Sequence, residues 1–284
     1  MVPMDMIPMQ FWYAVIFIFG LIIGSFLNVV IYRLHTGKSL NDRSHCLSCG
    51  HTLSWYELFP LFSYLLLLGR CLHCRSHIPS RYFLVELLTG LSFLMVFSYT
   101  QNVVAVVLLL ILMATLIVGA VYDLYHMIIP DEIVVVSSVL SLAFVMYTMP
   151  RWSPTDLSLS ILSGTVAFAV FGALWWYSSG RWIGLGDAKL AFPLGVLIGV
   201  SHIFSFVVVS FWIGAVLGVI LLGSAALLRR GQKHLRFPSR TLTMKSEIPF
   251  APFMVLSFVV VFFFGVDVLS FTNHAIELLF TSIT

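Results

Sequence analysis

Two carboxylates and four thiols carry the chemistry that this sequence offers. Asp187 lies in Gly184-Leu185-Gly186-Asp187-Ala188-Lys189, an acid and a base two residues apart immediately before an apolar run. Asp123 lies in Gly119-Ala-Val-Tyr-Asp123, at the end of another apolar run. A carboxylate at the margin of a hydrocarbon-bound segment is costly, so each is a functional candidate. Glycines such as Gly184 and Gly186 allow a tight turn and a close approach by another chain. Two carboxyls sharing one site do not both ionise readily; one keeps a proton while the other acts as a base. Such a pair can activate water against a peptide carbonyl and protonate the departing amine. The same residues can also carry protons through a transporter or form a structural network. The thiols Cys46, Cys49, Cys71 and Cys74 form two CxxC pairs with 21 residues between them. That pattern suits a tetrahedral ion, and thiolates select zinc over hard cations. Four cysteines leave no open position for water, so the expected zinc is structural.

The elements that must position these groups are membrane helices. Hydrophobic residues make up 60% of the 284, and Asp, Glu, Lys and Arg only 10%. Long apolar blocks alternate with short polar connections, which predicts an all-α polytopic membrane protein and disfavours a period-two barrel. About eight spans are expected, near 11–32, 82–99, 103–121, 131–149, 157–178, 187–201, 203–228 and 250–271. The block at 187–201 is short enough to be tilted or partly re-entrant. The block from Phe11 onward has no basic n-region or small-residue cleavage site and reads as a retained first helix. No internal repeat and no nucleic-acid-binding feature is visible.

Orientation follows from the basic residues. Arg33, Lys38, Arg43, Arg70, Arg75, Arg81, Arg181, Lys189, Arg229, Arg230, Lys233, Arg236, Arg240 and Lys245 all fall on one side, fourteen of the fifteen Lys and Arg. Only Arg151 falls opposite. The positive-inside rule makes the populated side cytoplasmic, and Asp123 and Asp187 lie at that face. The expected division is a first helix over 1–33, a cytoplasmic Cys-rich domain over 34–81 and a transmembrane core over 82–284. The thiols then sit in a reducing compartment, which favours metal over disulfides. His45, His51, His73 and His77 lie close enough in sequence to replace a ligand. Between the knuckles, Trp55–Pro60 and Leu61–Leu68 are too apolar for a free loop, and are expected to lie along the membrane surface with Trp55 and Tyr56 at headgroup depth. Asp131 and Glu132, after Pro130, read as first-turn acids of a helix. Ile248-Pro-Phe-Ala-Pro-Phe253 sets a rigid entry into the last span.

Taken together, these pieces resemble the type IV prepilin peptidases, bifunctional leader peptidases and N-methyltransferases of bacterial inner membranes. The resemblance runs from about residue 20 to 255. It is carried by Gly24-Ser-Phe-Leu-Asn-Val-Val-Ile-Tyr-Arg33, both knuckles, Gly69-Arg-Cys71, Ser80-Arg-Tyr-Phe-Leu-Val-Glu86, Asp123 with Ile129-Pro130-Asp131, Gly184–Lys189 and Ile248-Pro-Phe-Ala-Pro252. It implies that Asp123 and Asp187, the latter in the family's GxGD motif, are the catalytic dyad of a membrane aspartyl protease. It further implies cleavage of prepilins or pseudopilins after a glycine at the cytoplasmic face, then methylation of the new amine by S-adenosylmethionine. The role of Lys189 stays open. No glycine-rich fingerprint for S-adenosylmethionine is present; Glu57 and Glu86 are the candidates to hold its ammonium or the substrate amine. The alternative reading of those two is interfacial pairing with Arg70, Arg75 or Arg81. The chain departs from the family pattern at Leu34-His-Thr-Gly37, Leu47, Glu57-Leu-Phe-Pro60 and Ala251, none of which touches the dyad. A proton-coupled transporter, or a non-enzymatic membrane protein with a structural zinc, is the competing expectation.

Overall fold

The structure is a computed structural model describing residues 8–36, 39, 42–149, 153–231 and 249–271. Gly37, Lys38, Arg151, Lys233, Arg236, Arg240, Lys245 and Ile248, used above for topology and motif, lie outside the described residues. The described chain is helical, with no strand among those residues, and it divides into two compact units, Met1–Val121 and Tyr122–Thr284.

In the first unit, α1 (Met9–Arg33) packs along α3 (Arg81–Tyr99). Gly20 and Gly24, four residues apart on α1, form the contact. A Cβ on Gly24 would stand 2.7 Å from the Glu86 Cα, and one on Gly20 2.8 Å from the Gly90 Cα. This small-residue spacing lets two backbones meet where lipid offers no hydrophobic drive. The signal stood in the sequence as Gly20-Leu-Ile-Ile-Gly24. Between these helices lie the knuckles and the short α2 (Phe62–Leu66). The helix α4 (Val103–His126) begins in this unit, and its final residues, from Tyr122 on, belong to the second.

The second unit continues with α5 (Asp131–Thr148), α6 (Pro154–Ser178), α7 (Leu185–Ile198), α8 (Ile203–Gly231) and α9 (Ala251–Phe264). Local chemistry sets their ends. Pro154 occupies the first turn of α6, where the Ser153 hydroxyl accepts the Asp156 amide. Met127, with φ of 56°, closes α4, and Gly265, with φ of 63°, closes α9. The tightest crossing is α6 on α7, where Gly164 and Gly195 face each other. Phe171, Phe206 and Phe258 are fully buried in this unit.

Six described helical segments are long and apolar enough to cross a membrane, so the chain is a multi-pass membrane protein. The expected eight apolar helices all form, but α7 and α9 have 14 residues each. At 1.5 Å per residue each is about 21 Å long, short of a ~30 Å hydrocarbon core. The expected span 250–271 ends early because of Gly265.

Candidate functional site

The end of α4 and the starts of α5, α7 and α9 meet in the second unit, and both candidate carboxylates sit at that meeting. Gly184 is the N-cap of α7, which makes Asp187 its third helical residue. From there the Asp187 carboxylate reaches back, and its Oδ2 accepts the Gly184 N–H at 3.0 Å. This is half of a capping box, with the acid favoured by the positive end of the helix dipole. A Cβ on Gly184 would come within 3.3 Å of that oxygen. One on Gly186 would stand 3.2 Å from the Ile129 Cβ. The glycines of the motif are thus explained by space: one keeps the carboxylate's seat open, the other lets α7 lie against the α4–α5 turn.

Asp123 comes from the last turn of α4. Its Oδ2 accepts the N–H of Ala251, at 3.2 Å, so this departure from the family pattern, expected to stand clear of the dyad, in fact touches it through its backbone. Ala251 is the first residue of α9, so its amide has no acceptor within its own helix. The second helix dipole therefore points at the second acid, which offsets the unfavourable position of Asp123 at a helix C-terminus. Both acids are buried. Asp123 is close enough to Asp187 to act on it electrostatically. The Asp187 Oδ1 is buried and meets no hydrogen-bonding partner among the described residues.

Lys189 does not pair with either buried acid. Its Nζ lies 2.7 Å from the Asp131 Oδ1, tying the second turn of α7 to the first turn of α5. Asp131 read as an ordinary first-turn acid, and nothing in the sequence named Lys189 as its partner. The role of the Ala251 amide was likewise hidden: a backbone donor has no residue type to mark it, and only Pro252 behind it hints at a helix start.

The four cysteines gather in the first unit. Their sulfurs all lie within 4.8 Å of one another, and Cys46 Sγ is 3.8 Å from Cys74 Sγ. No disulfide joins them. The two knuckles are copies of one backbone figure. Cys46 N–H donates to the His51 carbonyl and Gly50 N–H to that of Cys46; Cys71 N–H donates to the Ser76 carbonyl and Arg75 N–H to that of Cys71. A left-handed residue, Gly50 or Arg75, follows each pair. This short repeat escaped the sequence reading because only the cysteines and one leucine coincide. The amides of Cys49 and Ser48 point at Cys46 and pull its thiol down to about 6. The Ser76 hydroxyl and amide lower that of Cys74. Both shifts favour the thiolate, the form that ligates metal, whereas desolvation and the neighbouring Cys74 and Cys46 sulfurs push the Cys49 thiol up to about 11. Four-coordinate zinc with Zn–S bonds near 2.3 Å has sulfur–sulfur edges of about 3.8 Å, so the donors present fit that ion. The nearby imidazoles take other roles: His51 stacks on His73, and its Nε2 lies 3.7 Å from Glu57.

Glu57 and Glu86 both serve the fold of the first unit. Glu57 Oε2 accepts the Ser54 N–H at 2.8 Å. Glu86 Oε2 accepts the Leu61 N–H at 2.8 Å. Neither is paired with Arg70, Arg75 or Arg81 in a salt bridge among the described residues.

Residues 18–100 match the bacterial peptidase A24 N-terminal domain, and residues 110–219 match the type IV leader peptidase family. The chain is 32% identical over 274 residues to the prepilin leader peptidase/N-methyltransferase of Vibrio cholerae, covering 90% of this chain and 98% of that protein. The chain belongs to the type IV leader peptidase family. A prepilin leader peptidase/N-methyltransferase of Myxococcus xanthus is 35% identical over 212 residues, 73% of this chain and 62% of its own length. The type 4 prepilin-like proteins leader peptide-processing enzyme of Escherichia coli O78:H11 is 35% identical over 203 residues, covering 63% of this chain and 74% of the relative. No solved structure matches at a significant level. Within the family matches, Asp123 and Asp187 fall in the leader peptidase region and the four cysteines in the N-terminal domain.

Proposed function

We propose that this chain is a membrane aspartic endopeptidase. It removes the leader of type IV prepilins or pseudopilins after a glycine, at the cytoplasmic face of a bacterial inner membrane, and methylates the amine it exposes. The observation that carries the reading is the pair Asp123 and Asp187. Two buried acids meet at one helix-terminal junction, and among the described residues each is held by a single backbone amide and neither is taken by a lysine or arginine.

Chemistry follows from that pair. With one carboxyl protonated and the other ionised, the ionised one takes a proton from water, and the resulting oxygen attacks the scissile carbonyl carbon. The protonated one gives its proton to the carbonyl oxygen, producing a neutral gem-diol. Collapse reverses the roles: one carboxyl protonates the nitrogen as the C–N bond breaks, and the other takes the diol proton as the new carboxyl forms. One acid and one base are restored. The amides of Gly184 and Ala251 fix one oxygen of each carboxylate, which holds the pair in reacting geometry.

Zinc is the ion proposed for the four cysteines, where it closes the two knuckles on each other as a structural site. S-adenosylmethionine would supply the methyl group; this part rests on family membership, and no step is assigned to Glu57 or Glu86. Lys189 is proposed as a support of the GxGD turn through Asp131.

The test is a prepilin reconstituted with the protein in lipid vesicles, its products read by mass spectrometry. The wild type is expected to give a fragment cut after the leader glycine, with an added methyl when S-adenosylmethionine is supplied. Asp123→Asn and Asp187→Asn, each near-isosteric, are expected to give no fragment. Cleavage by either variant would sink the dyad.

A further inference from the structure

Between the knuckles the chain exposes a cluster of large apolar side chains that belongs to no candidate span. Trp55 is 78% exposed, Leu66 81% and Leu68 82%, with Tyr56, Phe59, Phe62 and Leu65 exposed beside them. A patch of this kind in water would be a liability, and it needs an occupant.

Two independent ties to α3 fix the height at which this surface sits. The Leu61 amide is bonded to Glu86, the sixth residue of α3, and so lies about 7 to 8 Å along that helix from its start. The Tyr64 ring packs on Phe83, the third residue of α3, with centroids 5.4 Å apart, and its hydroxyl donates to the Ile78 carbonyl at 3.4 Å. The polar layer on each side of a bilayer is itself only about 5 to 8 Å thick. With Arg81 at the headgroups, where its stem can snorkel, Leu61 is at the hydrocarbon boundary and α2 lies just above it. The flanking residues fit that depth. Trp55 and Tyr56 are the side chains that favour a membrane interface, and the exposed Arg70 and Arg75 offer positive charge to anionic headgroups. Between Trp55 and Arg81 the only acid is Glu57, whose side chain is 3% exposed and so opposes no headgroup.

We infer that Trp55–Leu68 is a membrane-surface element: it seats its apolar side chains in the lipid boundary of an anionic bilayer and anchors the paired knuckles there through Glu86 and Phe83. The occupant of the patch is lipid, reached as a continuation of the lipid-facing surface of α3. This does not depend on the proteolytic reading, because it uses no residue of the Asp123–Asp187 site.

The experiment places photoreactive benzoylphenylalanine at Leu66, Leu68 or Leu47 of the full chain, reconstituted in phosphatidylethanolamine–phosphatidylglycerol vesicles. Leu47, exposed on the first knuckle, is the control. After irradiation, peptide mass spectrometry is expected to find lipid adducts at positions 66 and 68 in clear excess over 47. Equal lipid yields at all three positions would overturn the inference. So would adducts at 66 and 68 joining two copies of the chain, or adducts there only to added prepilin. Thermal unfolding of each substituted protein shows that it is folded, and the substituted side chains are exposed ones whose replacement leaves the Glu86 and Phe83 ties intact.

Discussion

A single methyl group at Gly186 tests whether the packing of α7 against the α4–α5 turn sets the position of Asp187. In Gly186→Ala the added Cβ would lie 3.2 Å from Ile129 Cβ, 3.5 Å from its Cγ1 and 3.6 Å from its Cδ1. Ordinary carbon contacts fall at about 3.5 to 4.0 Å, so the first turn of α7 or the turn at Ile129 must yield by roughly 0.3 to 0.8 Å. Overpacking of this size costs about 1 to 3 kcal/mol, while replacing glycine within a helix returns about 0.5 to 1 kcal/mol. The expected net destabilisation is small, of order 1 kcal/mol. Activity is more sensitive. Asp187 is the next residue, and a misplacement near 1 Å can cost about a hundredfold in rate. A shift of a few tenths of an ångström is then worth about tenfold, and Gly186→Val, which adds two more methyls at the same contact, should lose cleavage altogether. Gly172 on α6 is the control, since a Cβ there meets nothing within 4 Å. Gly172→Ala should cleave at the wild-type rate and unfold slightly later, by up to about 1 kcal/mol. Rates of prepilin cleavage in vesicles and thermal unfolding read both effects. Full activity in Gly186→Ala, or equal loss in Gly172→Ala, would refute the packing argument.

Other consequences are simpler to state. The Lys189–Asp131 pair is largely solvent-exposed, so a double-mutant cycle with Lys189→Met and Asp131→Asn should give a coupling of only about 0.2 to 1 kcal/mol in unfolding; a value several-fold larger would mean the pair does more than brace the turn. Cys46→Ser combined with Cys71→Ser should remove bound zinc, seen by elemental analysis, and abolish methylation before cleavage; unchanged zinc would exclude the four-sulfur site. In metal-free protein the Cys46 thiol is held down to about 6 from its ordinary 9.0. Because the thiolate is the nucleophile, its alkylation by iodoacetamide should rise as pH increases through about 6, and a midpoint near 9 would contradict the amide contacts to its sulfur.

What could be read in the sequence was what residue type and spacing encode. Apolar blocks gave the helices, and the CxxC pairs gave a thiol cluster. An isolated acid beside an apolar run marked both carboxylates. What stayed hidden depends on backbone groups and on space. The Ala251 amide has no side chain to announce it, and the crowding of Gly186 by Ile129 exists only after two helices dock. The match of Lys189 with Asp131 spans 58 positions, too far for any local pattern. Gly20 and Gly24 differ from these, since their spacing is a known packing signal and was there to be used. Helix ends were harder than helix existence, because Gly265 and Met127 stop their helices through a left-handed backbone and not through a change in hydropathy.

The way the charges are distributed among the described residues of the second unit supports the proposed reactive pair over a structural one. Buried acids kept for stability are expected to sit with a cation, since an unpaired buried charge is costly and the nearest lysine is the simplest remedy. Here the nearest lysine in sequence is two residues from Asp187, yet it turns to Asp131, an acid whose side chain is 74% exposed and gains little from it. Among the described residues the buried acids are left with one amide each, from Gly184 and Ala251, and with helix dipoles. These partners position a carboxylate without neutralising it, and they leave oxygens such as Asp187 Oδ1 free of protein donors. A structural network would spend Lys189 on the buried acid. A site that must pass protons to water and to a peptide nitrogen has to keep that cation away.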